Sequence, residues 1–268
     1  MRFIQAALPF LLAVEVAAQP PVAREPPNPV IMQFVRFADI FGSRLVAAFE
    51  SIPEAHYGYR PTPTQQTVGY IAQHLEDANY GLCARLGTAR RPSTAKDSLA
   101  DTVKANWPKD TLLVRLRASL LFCSEILERI PALESPAVAN TLLAFETDLA
   151  EHYAQIASYM RMLGLVPPSA LPPTRRTAIV LPGASLSQFV GVYEVTPGWE
   201  FIVAMRDSDL TIRSTMGGAA VPLLPESPLD FFVAEADAQI TFSRDAGGTV
   251  TGLVLHQYGR HRQARKVR

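Results

Sequence analysis

The stretch Val166–Gly183, VPPSALPPTRRTAIVLPG, constrains this chain more than any other. It carries five prolines. Proline lacks an amide proton and fixes φ, so neither a helix interior nor a central strand runs through such a segment. On its N-terminal side, apolar residues recur at steps of three and four, the helical rhythm. Beyond Leu186 they fall in short alternating runs bounded by PG, GG and DAGG, the texture of strands and turns. The expected class is therefore α+β in two domains: an N-terminal antiparallel four-helix bundle and a C-terminal small antiparallel β-barrel or sandwich. Residues 1–18 read as a signal peptide and 19–30 as a proline-rich leader. The bundle covers 31–168, the linker 169–183 and the strand domain 184–268.

The helical periodicity predicts four long helices. The first runs from Ile31 to Ser51 with Phe34, Phe37, Ala38, Phe41, Leu45 and Ala48 inward. The second runs from Thr64 to Leu86 with Val68, Ile71, Leu75, Ala78 and Leu82 inward. A short helix is expected over Asp97–Ala105. The third long helix starts with Asp110 as N-cap and ends at Ile130, before Pro131. The fourth runs from Ser135, with Pro136 in its first turn, to Met162 or Leu163. Six to eight strands follow, with Trp199, Phe201, Phe231 and Phe232 as core and rim. The terminal GRHRQARKVR reads as a solvated last strand.

Hydrophobic residues make up 48% and charged residues 19%, which suits a packed core. Lys plus Arg total 25, as do Asp plus Glu, so no global field draws nucleic acid or an anionic membrane. The start, MRFIQAALPFLLAVEVAAQPPVA, has Arg2, a mostly apolar Phe3–Val14 run, and small residues at Val16 and Ala18. This is the pattern of a secretory signal cut near Ala18–Gln19, leaving no stable membrane span. The protein is expected to be exported, periplasmic or secreted. In an oxidising compartment Cys83 and Cys123 either form one disulfide or stay as inert buried thiols. Two cysteines are too few for a zinc–thiolate centre.

The segment FETDLAEHYAQIASYMRMLGLVPP, Phe145–Pro168, interrupts its own core stripe. Phe145, Leu149, Ile156, Tyr159 and Leu163 mark one helical face, and His152 fills the gap where a leucine belongs. Asp148 lies one turn earlier and points roughly the same way. Two such groups can reach one cation, and His74, beside the Ile71/Leu75/Ala78 face of the second helix, offers a third donor. The plainer reading is a core histidine with an ion-pair partner. Spacing alone leaves both open. Gln155 and Tyr159, on or near the same face, are candidates to support the ligands from behind.

The run SIPEAHYGYRPTPTQQTVGYIAQHLEDANYGLCARL, followed by EHYAQIASYMRMLGLVPP, resembles the DinB-like (YfiT-like) family of four-helix bundles. The features are RPTP before the second helix, the histidine in AQHLEDANY, and the closing EHYAQ…YMR…G.VPP. The resemblance implies a divalent metal, zinc, nickel, iron or manganese, held by His74, Asp148 and His152. The family places a histidine where this chain has Asp148. A carboxylate remains a competent ligand and shifts the preference towards harder ions. The same likeness implies metal-dependent transferase or hydrolase chemistry on a small molecule, with homodimers among relatives. It names no catalytic side chain. A non-catalytic metal- or ligand-binding envelope module is the other expectation, because fold likeness is not evidence of a reaction. The strand segment is similar to an uncharacterised β-rich module often appended to beta-lactamase-related serine hydrolases, through GVYE, L.PES…FF and ITF..D..G.V..L.L.Q.G.

Overall fold

The structure is a computed structural model describing residues 28–87, 89–130, 133, 135–172, 174–236 and 238–268. The expected signal peptide and most of the leader lie outside these residues. The chain is α+β: helices occupy residues 29–162, and an eight-stranded antiparallel barrel follows. No helix among the described residues is long and apolar enough to cross a membrane.

Helix α1 (Pro29–Ser51) starts two residues before Ile31, because the Asn28 side chain accepts hydrogen bonds from the amides of Val30 and Ile31. Its buried stripe is Ile31, Val35, Ala38, Leu45, Ala48 and Phe49, while Phe37 is 49% exposed. Of the expected face, Ala38, Leu45 and Ala48 are buried and Phe34 and Phe41 pack half-buried against the core, while Phe37 is turned outward. The reason lies at Gly42, where a Cβ would sit 3.1 Å from a Leu120 methyl. The small residues face the neighbouring helix to allow that approach, and the phenylalanines take the flank.

Helix α2 (Val68–Cys83) begins after Thr67, whose hydroxyl accepts from the Tyr70 amide. Pro61 and Pro63 keep the preceding residues out of it. The expected Asp97–Ala105 helix is instead a 3₁₀ turn (Ala95–Ser98) and the one-turn α3 (Asp101–Lys104). Helix α4 (Lys109–Leu127) is entered from Pro108, so Asp110 lies inside the first turn, where the helix dipole favours a carboxylate, and does not cap it. Helix α5 (Pro136–Met162) starts as predicted, with the Ser135 hydroxyl accepting from Val138.

The long helices neighbour one another in the order α1, α4, α2, α5, with α5 closing back on α1. Their shared core includes Leu45, Phe49, Ile71, Leu75, Leu116, Phe145, Leu149, Ile156 and Met160. Truncating a leucine in such a core typically costs about 2–5 kcal/mol. A disulfide joins Cys83 of α2 to Cys123 of α4, deciding between the two readings of those cysteines. At Gly69 a Cβ would lie 2.2 Å from the Ala105 carbonyl, so glycine lets the segment after α3 rest on the start of α2.

Beyond the linker, the one-turn α6 (Gly183–Leu186) leads into β1 (Gly191–Thr196), β2 (Trp199–Arg206), β3 (Asp209–Ser214) and β4 (Gly217–Pro225). The strands β5 (Asp230–Val233), β6 (Ala238–Arg244), β7 (Val250–Gln257) and β8 (Arg260–Lys266) complete the set. Each pairs with its sequence neighbour, and β8 returns to β1, so no edge is left open. Closure is tight: Val192 donates to the Arg268 carbonyl and Val267 to that of Val192, both at 2.8 Å. A Cβ at Gly191 would sit 2.4 Å from that Arg268 oxygen. The interior is hydrocarbon, with Phe189, Phe231 and Phe242 stacked edge-on or tilted. Phe201 and Phe232 are also buried, as expected.

The last strand is not simply solvated. Arg260 and Arg262 of β8 reach back to Asp39 on α1 and to Glu128 just after α4. Asp39 is 8% exposed, so this ion pair is largely withdrawn from water and anchors the barrel to the helices. Trp199 packs against both hydrophobic cores, and the Arg262 guanidinium lies 5.5 Å over its ring.

Candidate metal centre

Helices α2 and α5 lie side by side, and the three predicted donors meet at their seam. Asp148 and His152 are one turn apart on α5, and His74 faces them from α2. The His74 Nε2 atom is 3.5 Å from Asp148 Oδ1, and His152 Nδ1 is 3.4 Å from the same oxygen. The two imidazole centroids are 4.8 Å apart. One donor atom from each residue lies within 4.8 Å of the others. Among the described residues no fourth His, Cys, Asp or Glu joins them.

These separations test the site. Charge-assisted N–H···O bonds close to about 2.7–2.9 Å, and both His–Asp distances exceed that. Two ligands bound at roughly 2.1 Å to one tetrahedral cation would stand roughly 3.4 Å apart. The His74–Asp148 spacing therefore suits two groups around a common point better than a close ion pair. Asp148 Oδ2 is buried with no hydrogen-bond partner, a costly arrangement for a carboxylate unless something else meets it. His152 Nδ1 lies 2.8 Å from the Asp148 backbone carbonyl. A proton on Nδ1 donated to that carbonyl leaves the lone pair on Nε2, the orientation seen in metal-bound histidines. The residues fit a divalent cation.

Access and charge agree with that geometry. The His74 side chain is 35% exposed, against 13% for His152, so the site opens to solvent along the His74 side. Tyr70 stacks on His74 nearly parallel, at 6.5 Å, and limits where the ring can swing. The Asp148 carboxylate, through a long hydrogen bond at 3.5 Å and through its charge, raises the His74 pKa above its ordinary value, against the opposing effect of burial. Gln155 and Tyr159 do not support the cluster. Gln155 donates to the Tyr159 hydroxyl, which donates to the Gln66 carbonyl and so ties α5 to the loop before α2.

Three polar features escaped the sequence reading. Glu146, on α5, has both carboxylate oxygens buried without partners, and burial with the nearby Asp39 charge pushes its pKa up to about 8. Arg115 of α4 bridges Glu76 of α2 and Asp97, fastening the 3₁₀ turn over the helices. In the barrel, His256 and His261 face each other with Nδ1 atoms 2.6 Å apart, and His256 Nε2 lies 3.1 Å from the Thr241 hydroxyl. The signal for that pair was present: Tyr258 and Gly259 both have positive φ, the two-residue hairpin turn that makes flanking residues cross-strand neighbours. Ser93 and Lys96 have the S-x-x-K spacing of penicillin-binding hydrolases, but both are exposed around a 3₁₀ turn, without the enclosed geometry that chemistry needs.

Residues 175–266 match DUF3471, a domain of unknown function. The DUF3471 segment contains all eight strands of the barrel and none of the three clustered donors. No curated protein matches the sequence. Among solved structures, the crystal structure of SurE with D-Leu is similar at 20% identity and a TM-score of 0.30. That alignment covers 45% of this chain and 28% of the other, and so weak a likeness carries no argument.

Proposed function

We propose that the helical half is a DinB-like four-helix bundle holding one divalent cation through His74, Asp148 and His152, in an exported protein that acts on a small molecule. The observation that carries this reading is the Asp148 carboxylate: one oxygen is buried without a partner, and the other lies 3.5 Å from His74 Nε2, beside His152, whose Nδ1 contact with the Asp148 backbone carbonyl leaves Nε2 free. The Cys83–Cys123 disulfide supports export, since such bonds persist in oxidising compartments. When bound, the cation would act as a Lewis acid that lowers the pKa of a water or thiol, as in metal-dependent transferases and hydrolases. The protein's own part is positional. The Asp148 backbone carbonyl orients His152, Tyr70 restrains His74, and the exposed His74 side admits the substrate.

One observation favours a second, non-catalytic reading, in which the bundle binds a metal or ligand and the barrel contacts an envelope partner. Gln155 and Tyr159, polar side chains on or near the same face of α5, are committed to each other and to Gln66. They are not free for proton transfer beside the cluster.

Elemental analysis of the purified protein tests the shared core of both readings. One zinc, nickel, iron or manganese per chain is expected, and none in a His152→Ala variant that keeps its helical circular dichroism. Metal absent from the native protein, or retained by the folded variant, rejects the site. With metal confirmed, thiol-conjugation and hydrolysis screens separate enzyme from binder. The mass of the protein recovered outside the cytoplasm tests cleavage near Ala18.

A further inference from the structure

A second cavity opens on the opposite side of the helical half, along the groove between α1 and α4. It has a volume of about 970 Å³ and shares no residue with the His74/Asp148/His152 cluster. The β7–β8 turn roofs one end at Tyr258–His261, and Pro168, Ser169, Leu171, Pro172 and Thr174 form one bank. It is therefore assembled from both halves of the chain, where small-molecule sites commonly form.

The charges on its walls do not cancel. Arg117 is paired with Glu50, and Arg260 with Asp39, which accounts for both acidic residues lining the cleft. Arg44 also lines it, yet has no carboxylate partner among the described residues. Its guanidinium lies only over the rings of Phe41 and Tyr153, at 6.0 and 5.8 Å. A guanidinium in a recess seeks a planar anion, which it grips through two parallel N–H bonds. Next to it the floor is apolar: Gly42, Val46, Leu120 and Phe145. On the wall, Ser124 is 5% exposed with its hydroxyl unpartnered. One χ1 rotation can turn that donor towards a ligand in the cleft.

We infer that this cleft is a binding site for a small amphipathic organic anion, with its carboxylate or comparable head on Arg44 and its apolar body on the α1–α4 floor. The site is independent of the metal reading. The probe is sodium decanoate, titrated calorimetrically into the full-length protein, with decyltrimethylammonium as the cation of equal chain length. Saturable binding of one decanoate per chain is expected, and none of the ammonium compound. Arg44→Gln weakens decanoate at least tenfold, Arg44→Lys recovers only part of the affinity because an ammonium cannot make the two parallel bonds, and Ala47→Phe, which fills the groove from α1, abolishes binding. Asp148→Asn leaves it unchanged, so the cleft and the metal centre fail separately. Decanoate binding weaker than about 1 mM, equal uptake of the ammonium compound, or full affinity in a folded Arg44→Gln protein overturns the proposal.

Discussion

Two histidine pairs in this molecule hold their rings at the same 4.8 Å separation, yet their surroundings give them opposite chemistry. Between His74 and His152 stands the Asp148 carboxylate, which raises the His74 pKa. Among the described residues no carboxylate pairs with His256 or His261, and the Asp230 charge opposes the shift of His256 only as its smallest influence. Burial, then the facing His261, lowers the His256 pKa, and the Nδ1–Nδ1 contact accommodates one proton, not two. Imidazole proximity alone therefore does not make a cation site. The negative charge between the rings converts mutual repulsion into a cradle for positive charge.

That contrast can be broken or sharpened in four ways. The largest effect should come from the cross-link that holds α2, the helix bearing His74. Replacing Cys83 and Cys123 by alanine opens a loop spanning a sequence separation of 40 residues. Chain entropy puts the loss at about 3–4 kcal/mol. Chemical denaturation should show that loss in the helical signal, while nuclear magnetic resonance of His256 stays unchanged.

Next in size is Asp148→Asn. Removing the charge should weaken metal binding by about 100-fold, measured by competition with a chelator. It should also bring the His74 pKa down towards its ordinary value. A variant that binds metal as tightly as the native chain would show that the carboxylate is not a ligand. A smaller effect follows from building the helical arrangement into the barrel. His261→Asp places an acid opposite His256 across the β7–β8 ladder and should raise the His256 pKa above its ordinary value, read by proton resonance titration.

The smallest effect concerns acid stability. His256 is depressed in the folded state, so its contribution is present above the ordinary value of 6.5 and is lost as pH falls through the lowered folded value. His256→Gln removes that dependence, and its unfolding midpoint should fall less than the native protein's on acidification. An unchanged acid limb would mean that the pair does not resist protonation. His74 has the opposite sign. Its contribution is present below the ordinary value and disappears as pH rises through the raised one. Metal binding, which competes with that proton, should strengthen over the same rise.

Much of this was legible in one dimension. The proline-dense linker, the start of α5 at Ser135–Pro136 and the strand runs beyond Leu186 are local signals, because backbone restriction and capping act within a few residues. His74, Asp148 and His152 could be nominated because helical period fixes which residues share a face. Other features depended on distance. The outward turn of Phe37, and the flanking, half-buried places of Phe34 and Phe41, follow from the close approach of Leu120 to Gly42, which periodicity within α1 cannot reveal. The basic last strand was misjudged for the same reason, since Asp39, which withdraws Arg262 from water, lies 223 positions earlier.

By itself, then, the sequence determined where helices give way to strands and which three side chains could converge. Tertiary structure alone decided that Cys83 meets Cys123, that the eighth strand closes on the first, and that Asp148 stands between two imidazoles. Backbone preference and periodicity are encoded within a turn or two of chain. Convergence is a property of packed surfaces, where a methyl group's displacement changes which polar atoms meet.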